Sequence, residues 1–452
     1  MTSAALPAAP VAKIDMRYAW AVVGLLTLAQ VVSYIDRFLP SLLIGPIKAD
    51  LHLSDFQIGL ILGPAFGFFY VFVGIPIGWL ADRWSRRTIL SVGVTFWSLM
   101  TAAGALARSF GALFGARLGV GLGEACLSPC AVSLISDYFP RAKRARAFSV
   151  YMAGTFIGAG TAFLVGGLFV QYLGTLPPFV LPGGGALKTW QTAFLVIGAP
   201  GLVLALLMLL IREPKRSEYS RGAVGAASLL GAAGYIAKRW RAFGALFLGS
   251  SFVTVTGAFS TWNVALFQRT WDWSVRDVGV AIGLLYFTAG PLGTVLSLVL
   301  SNRGIAKGRK DATLRTLLTG IAIAFPAYVL YPQMPSAPLS IFCLFFAFVG
   351  QAIATASGPA SLALIAPGEL RSQATAVYFL VISVAGQLLG PPPLGWMSDV
   401  LGNIRHAISI EAIVVGLPVL VLLSLGLRRY RDEVAALEDC IVGTVDQAPA
   451  HG

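Results

Sequence analysis

Gly78-Trp79-Leu80-Ala81-Asp82-Arg83-Trp84-Ser85-Arg86-Arg87 is a short hydrophilic break, one acid among three arginines, set between two apolar runs. Residues 56–80 lead into it and 88–107 follow it, and neither run contains Asp, Glu, Lys or Arg. A helix rises ~1.5 Å per residue, so about 20 such residues cross a hydrocarbon core of ~30 Å. The break is therefore a tight loop at a membrane surface, joining two spans. Outward from it the same alternation continues to both ends of the chain. Of 452 residues, 57% are apolar and 12% charged, and the mean hydropathy is +0.78. Soluble domains carry about 25% charge, so that class is excluded. Runs such as 193–211 and 410–427 are continuously apolar and Leu-rich, whereas a membrane barrel needs alternating segments of about ten residues.

The pattern predicts an all-α membrane protein of twelve transmembrane helices, at 18–45, 56–80, 88–107, 110–137, 147–173, 190–211, 242–268, 276–300, 313–331, 337–365, 372–398 and 404–427. Residues 1–17 lack a signal-peptide core and form a cytoplasmic N-terminal segment; the first span is retained. The formal charge of +13 raises nucleic acid as a partner, but the distribution of the charge answers it. Twenty-five of the 33 Lys and Arg fall on the N-terminal side of the spans, six on the other side, and Arg37 and Arg117 inside spans. That bias is the positive-inside rule. It puts both termini in the cytoplasm, makes the chain an integral protein of the plasma (inner) membrane, and leaves no nucleic-acid role.

The longest hydrophilic connection, 212–241, divides the spans into two six-helix bundles, 18–211 and 242–427, with 428–452 as a cytoplasmic tail. The halves repeat: Ser128-Pro129-Cys130-Ala131-Val132-Ser133-Leu134-Ile135 in span four matches Gly358-Pro359-Ala360-Ser361-Leu362-Ala363-Leu364-Ile365 in span ten, and Arg144 and Tyr151 match Arg371 and Tyr378. Pseudo-symmetric bundles of this kind build transporters, here expected to act as a monomer. The four cysteines form neither a ligand cluster nor a paired framework, and no phosphate-cradling loop appears. No metal, no cofactor and no enzymatic activity are expected.

The loop that opens this reading resembles the signature G-x-x-x-D-R-x-G-R-R of the major facilitator superfamily, with Ser85 where Gly is usual. The resemblance implies that Asp82, with Arg83, Arg86, Arg87 and Arg144, latches the cytoplasmic ends of the bundles through basic residues and a helix N-terminus near Ser372. Arg117-Leu118-Gly119-Val120-Gly121-Leu122-Gly123 fits the superfamily's R-x-x-x-G-x-G pattern of span four, associated with proton-coupled members. Together with Tyr34-Ile35-Asp36-Arg37-Phe38 and Gly123-Glu124-Ala125, it makes the chain similar to the spinster branch in a bacterial form. That implies proton-coupled transport, by alternating access, of a lysophospholipid or a phosphorylated sphingoid base.

The residues point to coupling on their own. Charge at bilayer depth costs several kcal/mol unless paired or solvated, and only Asp36, Arg37, Arg117 and Glu124 lie deep. Arg117 and Glu124 stand seven apart on span four and share a face. Asp36 lies ~27 Å up span one and Arg117 ~10 Å down span four, which brings them to similar depths. Arg37 is turned about 100° from Asp36 and faces Glu124 or a neighbouring helix. Asp36 and Glu124 are the expected proton carriers, with Arg117 tuning them and attracting an anionic headgroup when freed; a static clamp between spans one and four is the alternative. Spans one, four, seven and ten line the cavity in the superfamily, which makes Ser33, Tyr34, Ser128, Thr256, Ser260, Thr355 and Ser357 candidate polar contacts and Phe259, Trp262 and Phe379 candidate contacts for an acyl chain. A sugar-acid symporter is the competing assignment. It would be expected to carry deep charge in both halves, whereas here the charge is confined to the first, which favours an amphipathic lipid. Gly386, Gly390, Pro391, Pro392, Pro393 and Gly395 mark a flexion point in span eleven. Glu411, about two turns into span twelve, either reaches the surface or binds a polar neighbour.

Overall fold

A computed structural model describes residues 15–180, 185–214, 226–367 and 370–446. Span one is Met16–Leu42, its first turn capped by the Asp15 carboxylate, which accepts from the Arg17 N–H at 2.9 Å. Span two is broken into Asp55–Leu62 and Pro64–Ala81, span three is Arg86–Gly104, and span four is Phe110–Glu124 continued by Leu127–Tyr138. Arg141–Leu173 and Thr189–Leu209 are spans five and six, with a two-stranded hairpin, Phe179–Val180 with Ala186–Leu187, between them. The second half begins at Trp240–Ala258, which turns through Phe259–Thr261 into Asn263–Trp271 and completes span seven. Spans eight to ten are Val275–Ala306, Ala312–Leu330 and Ala337–Ile365. Span eleven is split into Arg371–Leu389 and Pro391–Leu401, and span twelve is Ile404–Asp446.

Eleven of these segments are long and apolar enough to cross a membrane. The remaining one, span three, forms at its predicted place, but Arg86, Arg87, Ser91, Thr95, Ser98 and Thr101 make it more polar. It packs against spans four and six. Three segments run beyond their predicted ends: span five starts at Arg141, span eight reaches Ala306, and span twelve continues through 428–446, where the sequence reading puts a tail. Part of the 212–241 connection is helical, Ala226–Lys238, and packs against span eleven; residues 215–225 lie outside the described residues.

Both ends of the described chain emerge on one face, called the near face below; the opposite one is the far face. The hydrophobic core forks between them. In the far half, one continuous cluster takes Leu39, Ile58 and Phe163 from the first bundle together with Phe259, Val278, Phe348 and Leu394 from the second. In the near half there are two separate clusters, one of first-bundle residues such as Val23, Leu134 and Tyr151, one of second-bundle residues such as Leu246, Leu317 and Tyr378. Small residues explain the far-half closure, since in lipid helices associate where backbones can approach. A Cβ on Gly59, Gly63 or Gly67 would lie 2.4, 2.5 and 2.4 Å from atoms of Pro391, Gln387 and Gln387 in span eleven. Farther down the same helix, a Cβ on Gly74 would meet nothing within 4 Å, and one on Gly78 only Pro129 of its own bundle. Span two thus leaves span eleven as it descends, and the bundles part toward the near face.

Candidate proton and substrate site

The four deep charges form two ion pairs where the fork begins. Asp36 Oδ1 is 3.2 Å from Arg117 Nη1, and its Oδ2 accepts from the Thr101 hydroxyl of span three. Glu124 Oε2 accepts from Ser33 Oγ at 2.6 Å and from Arg37 Nη2 at 3.1 Å. Arg37 therefore takes the first of its two alternatives, because Ser33 and Arg37 stand four apart on span one and share the face toward Glu124. Gly121 brings span two into the site: a Cβ there would sit 2.1 Å from the Phe66 carbonyl oxygen. That approach carries Phe66 and Tyr70 over the Arg37 guanidinium, 4.3 and 4.9 Å from their ring centroids, with Tyr34 at 4.8 Å. Cation–π contact of this kind strengthens when desolvated.

The two pairs differ in access. The Asp36–Arg117 side chains are 3% and 2% exposed, while Arg37 is 21% exposed against 1% for Glu124. Arg37 is thus the more accessible of the two cations. The pairs are also incompletely satisfied: Arg117 Nε, Arg37 Nε and Glu124 Oε1 are buried with no hydrogen-bond partner. Buried ion pairs stabilise a fold only when geometry and hydrogen bonds are complete. A cluster with three orphaned polar atoms is one whose partners can be exchanged.

The expected contact residues divide. Tyr34 and Ser128 are half-buried, and Thr355 and Phe379 exposed. Five others are sealed in packing, which corrects their assignment as lining. Thr256 donates to its own helix at Phe252 O, Ser260 to Gly257 O, and Ser357 shares a hydrogen bond with Ser297 at 2.8 Å. Phe259 packs edge-on to Tyr328, and the Trp262 indole donates to Pro391 O at 3.3 Å. Residue type marked them as polar or aromatic, but their rotation about the helix axis turns them inward. Glu411 is a further correction. It neither surfaces nor binds a neighbour; it is 2% exposed, and both carboxylate oxygens lack a partner. A deep acid therefore exists in the second bundle as well.

Above the charges, toward the far face, the bundles are plugged by Phe38, Phe163, Tyr286 and Phe348, whose successive centroids are 5.0, 5.8 and 4.9 Å apart. A polar latch closes the rim. The buried Asp55 carboxylate, at the start of span two, accepts from Arg269 Nη1 and Nη2 at 2.6 and 2.9 Å and from Ser398 Oγ at 2.7 Å, all across the interface, and from Lys48 at 2.5 Å. Asp399 of span eleven caps span two from the opposite bundle, accepting the Asp55 and Phe56 N–H groups at 2.9 and 2.8 Å. A cavity of about 510 Å³ lies over this latch.

On the near face the loop residues play separate parts. Asp82 is exposed, and among the described residues its carboxylate has no hydrogen-bond or ion-pair partner. Arg83 donates to Trp79 O and stacks over the Trp79 ring at 4.0 Å, and Arg144 donates to Phe139 O at 2.9 Å. Arg86 is fully buried and clamps its own bundle, reaching Asp137 at 2.5 Å, Glu213 at 2.6 Å and Pro214 O at 3.2 Å. Burial acts to raise the Glu213 carboxyl, but hydrogen bonds from Arg86 and the Arg87 N–H outweigh it and hold the group below the usual range. The second bundle has a charge-reversed counterpart, Asp311 between Arg315 and Arg431 at 2.9 and 3.3 Å. Thr101, Phe66, Tyr70, the aromatic plug and the Asp55–Asp399 latch are absent from the sequence reading, because each draws on helices remote in the chain. The one signal that could have pointed to the contact of spans two and eleven is the four-residue spacing of Gly59, Gly63 and Gly67, which the sequence reading did not use.

The family model of the major facilitator superfamily matches residues 26–391. The chain belongs to that superfamily. It is 32% identical over 390 residues to an MFS-type efflux pump of Mycolicibacterium smegmatis, covering 85% of this chain and 86% of the relative. A probable L-galactonate transporter of Escherichia coli is 28% identical over 72% of each chain. Among solved structures, a bacterial homologue of the human lysosomal transporter spinster, inward-facing and unoccupied, superimposes with a TM-score of 0.76 at 25% identity, over 94% of this chain and 98% of that one. The protein is thus a spinster-like membrane transporter rather than an enzyme.

Proposed function

We propose that the chain is a proton-coupled secondary transporter of anionic solutes, working by alternating access in the plasma (inner) membrane as a monomer. The near face is cytoplasmic, as the distribution of Lys and Arg suggests, so the conformation is inward-open. The observation that carries this is the unequal access of the two ion pairs: Asp36–Arg117 sealed, Arg37–Glu124 with the Arg37 side chain partly exposed. An acid group on a solute competes with Glu124 for Arg37. A proton on Glu124 ends its ion pair and frees Arg37 to take that group, so proton and anion load together. The preferred solute is an anionic amphiphile such as a lysophospholipid or phosphorylated sphingoid base, in keeping with the likeness to spinster.

A hydroxylated sugar acid is the second reading. It is favoured by the burial of Phe259 and Trp262, which leaves fewer aromatics for a chain, and by the likeness to the galactonate transporter. Counterflow in reconstituted vesicles, with internal pH recorded, tests both. Uptake of lysophospholipid or hexonate accompanied by proton movement, and lost in Arg37→Gln, is the expected result; uptake unaffected by Arg37→Gln overturns the assignment.

A further inference from the structure

Span ten carries a neutral polar group at the depth of the charge cluster. Gln351 lies fourteen residues in from Ala337 at the far end of its span, as Glu124 lies fourteen in from Phe110 at the far end of span four, ~21 Å in each case. The repeat that matches 128–135 to 358–365 sets Gln351 opposite Gly121, between the positions of Arg117 and Glu124. The side chain is held from one end. Tyr328, buried in span nine and fixed edge-on to Phe259, donates its hydroxyl to Gln351 Oε1. This orients the amide and leaves Nε2 outward.

Nε2 lies over the backbone of span seven: a Cβ on Gly257 would be 2.5 Å from it. Among the described residues it has no acceptor, yet it is not among the buried unpartnered atoms, so it is accessible. Gln351 stands three residues, about one turn, below Phe348 of the aromatic plug. Gln351 and Gly257 are half-buried, and Thr355, one turn along the same face, is exposed with its hydroxyl turned back to Gln351 O. An amide with one end locked by a buried tyrosine and two free N–H bonds is a fixed donor, and a site built around such a donor discriminates against ligands that lack the acceptor.

We propose that Gln351 is the second bundle's specificity residue, its Nε2 donating to a hydroxyl or carbonyl oxygen of the solute whose acid group Arg37 attracts. Tyr328 and Gly257 are its positioning residues. This rests on the anion transport proposed above and narrows it. The solute carries an acid and a neutral oxygen acceptor, a chemistry shared by the glycerol unit of a lysophospholipid and the hydroxyls of a sugar acid, and absent from a bare alkyl anion.

The test uses the purified full chain and two pairs of probes: lysophosphatidate against dodecyl phosphate, and galactonate against hexanoate. Affinities are measured by calorimetry for the wild type, Gln351→Met, which keeps length without the amide, Gly257→Ala, which displaces Nε2, and Tyr328→Phe, which frees the amide. The wild type is expected to prefer the oxygenated member of one pair by about tenfold, and which pair responds identifies the source as lipid or sugar acid. Gln351→Met brings that preference to within about twofold while affinity for the bare anion is kept; Gly257→Ala and Tyr328→Phe lower it in part, and these two decide if the Met variant fails to fold. A preference unchanged in all folded variants, or absent from a wild type that binds both members equally, overturns the role of Gln351 alone. A wild type that binds none of the four overturns the anion reading beneath it.

Discussion

Asp55→Asn should release the far face. In this conformation the Asp55 carboxylate accepts two hydrogen bonds from Arg269 and one from Ser398, all across the bundle interface. A hydrogen bond to a charged group contributes about 1.5–3 kcal/mol, and the partly exposed Arg269, at 33%, puts these toward the lower end because solvent screens them. Asparagine keeps one acceptor oxygen but loses the charge and the bidentate geometry. A loss of roughly 3 kcal/mol of cross-bundle attraction follows, about a hundredfold change in the ratio of far-closed to far-open molecules. Spin labels at the exposed Ala49 and Arg276 report the far face, and labels at Thr88 and Asn302 the near face. Distance distributions between each pair should show a new far-open population in Asp55→Asn, growing with salt in the wild type as screening weakens the latch. Asp82→Asn is expected to supply the opposite sign: its carboxylate has no partner among the described residues here, so a latch role in the other conformation predicts that the substitution enriches this one. Far-face distances unchanged in Asp55→Asn, or a shift in the same direction in both variants, would refute the reasoning.

Asp36→Asn and Glu124→Gln should each abolish the dependence of label distances on pH while downhill exchange survives; a wild-type pH response in both would show that protons bind elsewhere, and a loss of folding without a change in response would favour a static clamp. Gly121→Ala should lower thermal stability by about 1–3 kcal/mol, the range for overpacking, because the new methyl would meet the Phe66 carbonyl at 2.1 Å; an unchanged melting temperature would argue that span two does not press on the site. Burial acts to raise the Asp311 carboxyl, but Arg315 and Arg431 overcome it and hold the group below its ordinary value. Its contribution is therefore present above the unfolded value of about 3.9 and disappears as pH falls through the lower folded one. Melting temperature against pH should fall less steeply on the acid side in Asp311→Asn than in the wild type, and parallel curves would deny the ion pairs any stabilising part.

The helices were legible because hydropathy is a local property, read along the chain without knowing its neighbours. Span three tests that rule: its serines and threonines lower its hydropathy, yet the uncharged run 88–107 between two loops still marked it. Depth was legible too, since a constant rise per residue places Asp36 and Arg117 at matching heights, and the structure pairs them. Rotation about a helix axis was not. Thr256, Phe259, Ser260, Trp262 and Ser357 have the right depth and residue type for a lining, but they face Tyr328, Pro391, Ser297 or their own backbone. Thr101 and the Phe66–Tyr70 cage were hidden for a different reason: what makes them part of the site is close helix approach, of span two at Gly121 and of span three at Gly119 and Gly123, a property of two helices together. Gln351 stood unremarked as one amide in an apolar run, and only its tyrosine and the missing side chain at Gly257 single it out.

How a rocking of two bundles reaches a charge cluster contained in one of them follows from span two. Ile61-Leu62-Gly63-Pro64 and Leu388-Leu389-Gly390-Pro391 break spans two and eleven at the same motif, and the breaks touch: a Cβ on Gly63 would be 2.5 Å from Gln387 O and 3.2 Å from Pro391 Cγ. Each proline opens a helix whose preceding glycine leaves the backbone bent. The far pieces of both helices are bound to each other by Asp55 and Asp399; the near piece of span two begins at Pro64 and carries Phe66 and Tyr70 onto Arg37. In the alternation proposed above, opening of the far latch with closure of the near face would swing the piece below Gly63 relative to the piece above it, and the rings over Arg37 with it. The guanidinium is held from one side by those rings and from the other by Glu124, so a displaced cage changes how strongly Arg37 is left to its carboxylate. Span two is thus a physical link between latch and ion pair, and its two-piece construction lets one end stay docked while the other turns. Crowding the break by Gly63→Ala, where the added methyl has no room against Gln387 O, should uncouple the two: the far face would loosen while the pH response of the near face weakens, a combination that disruption of the latch alone would not produce.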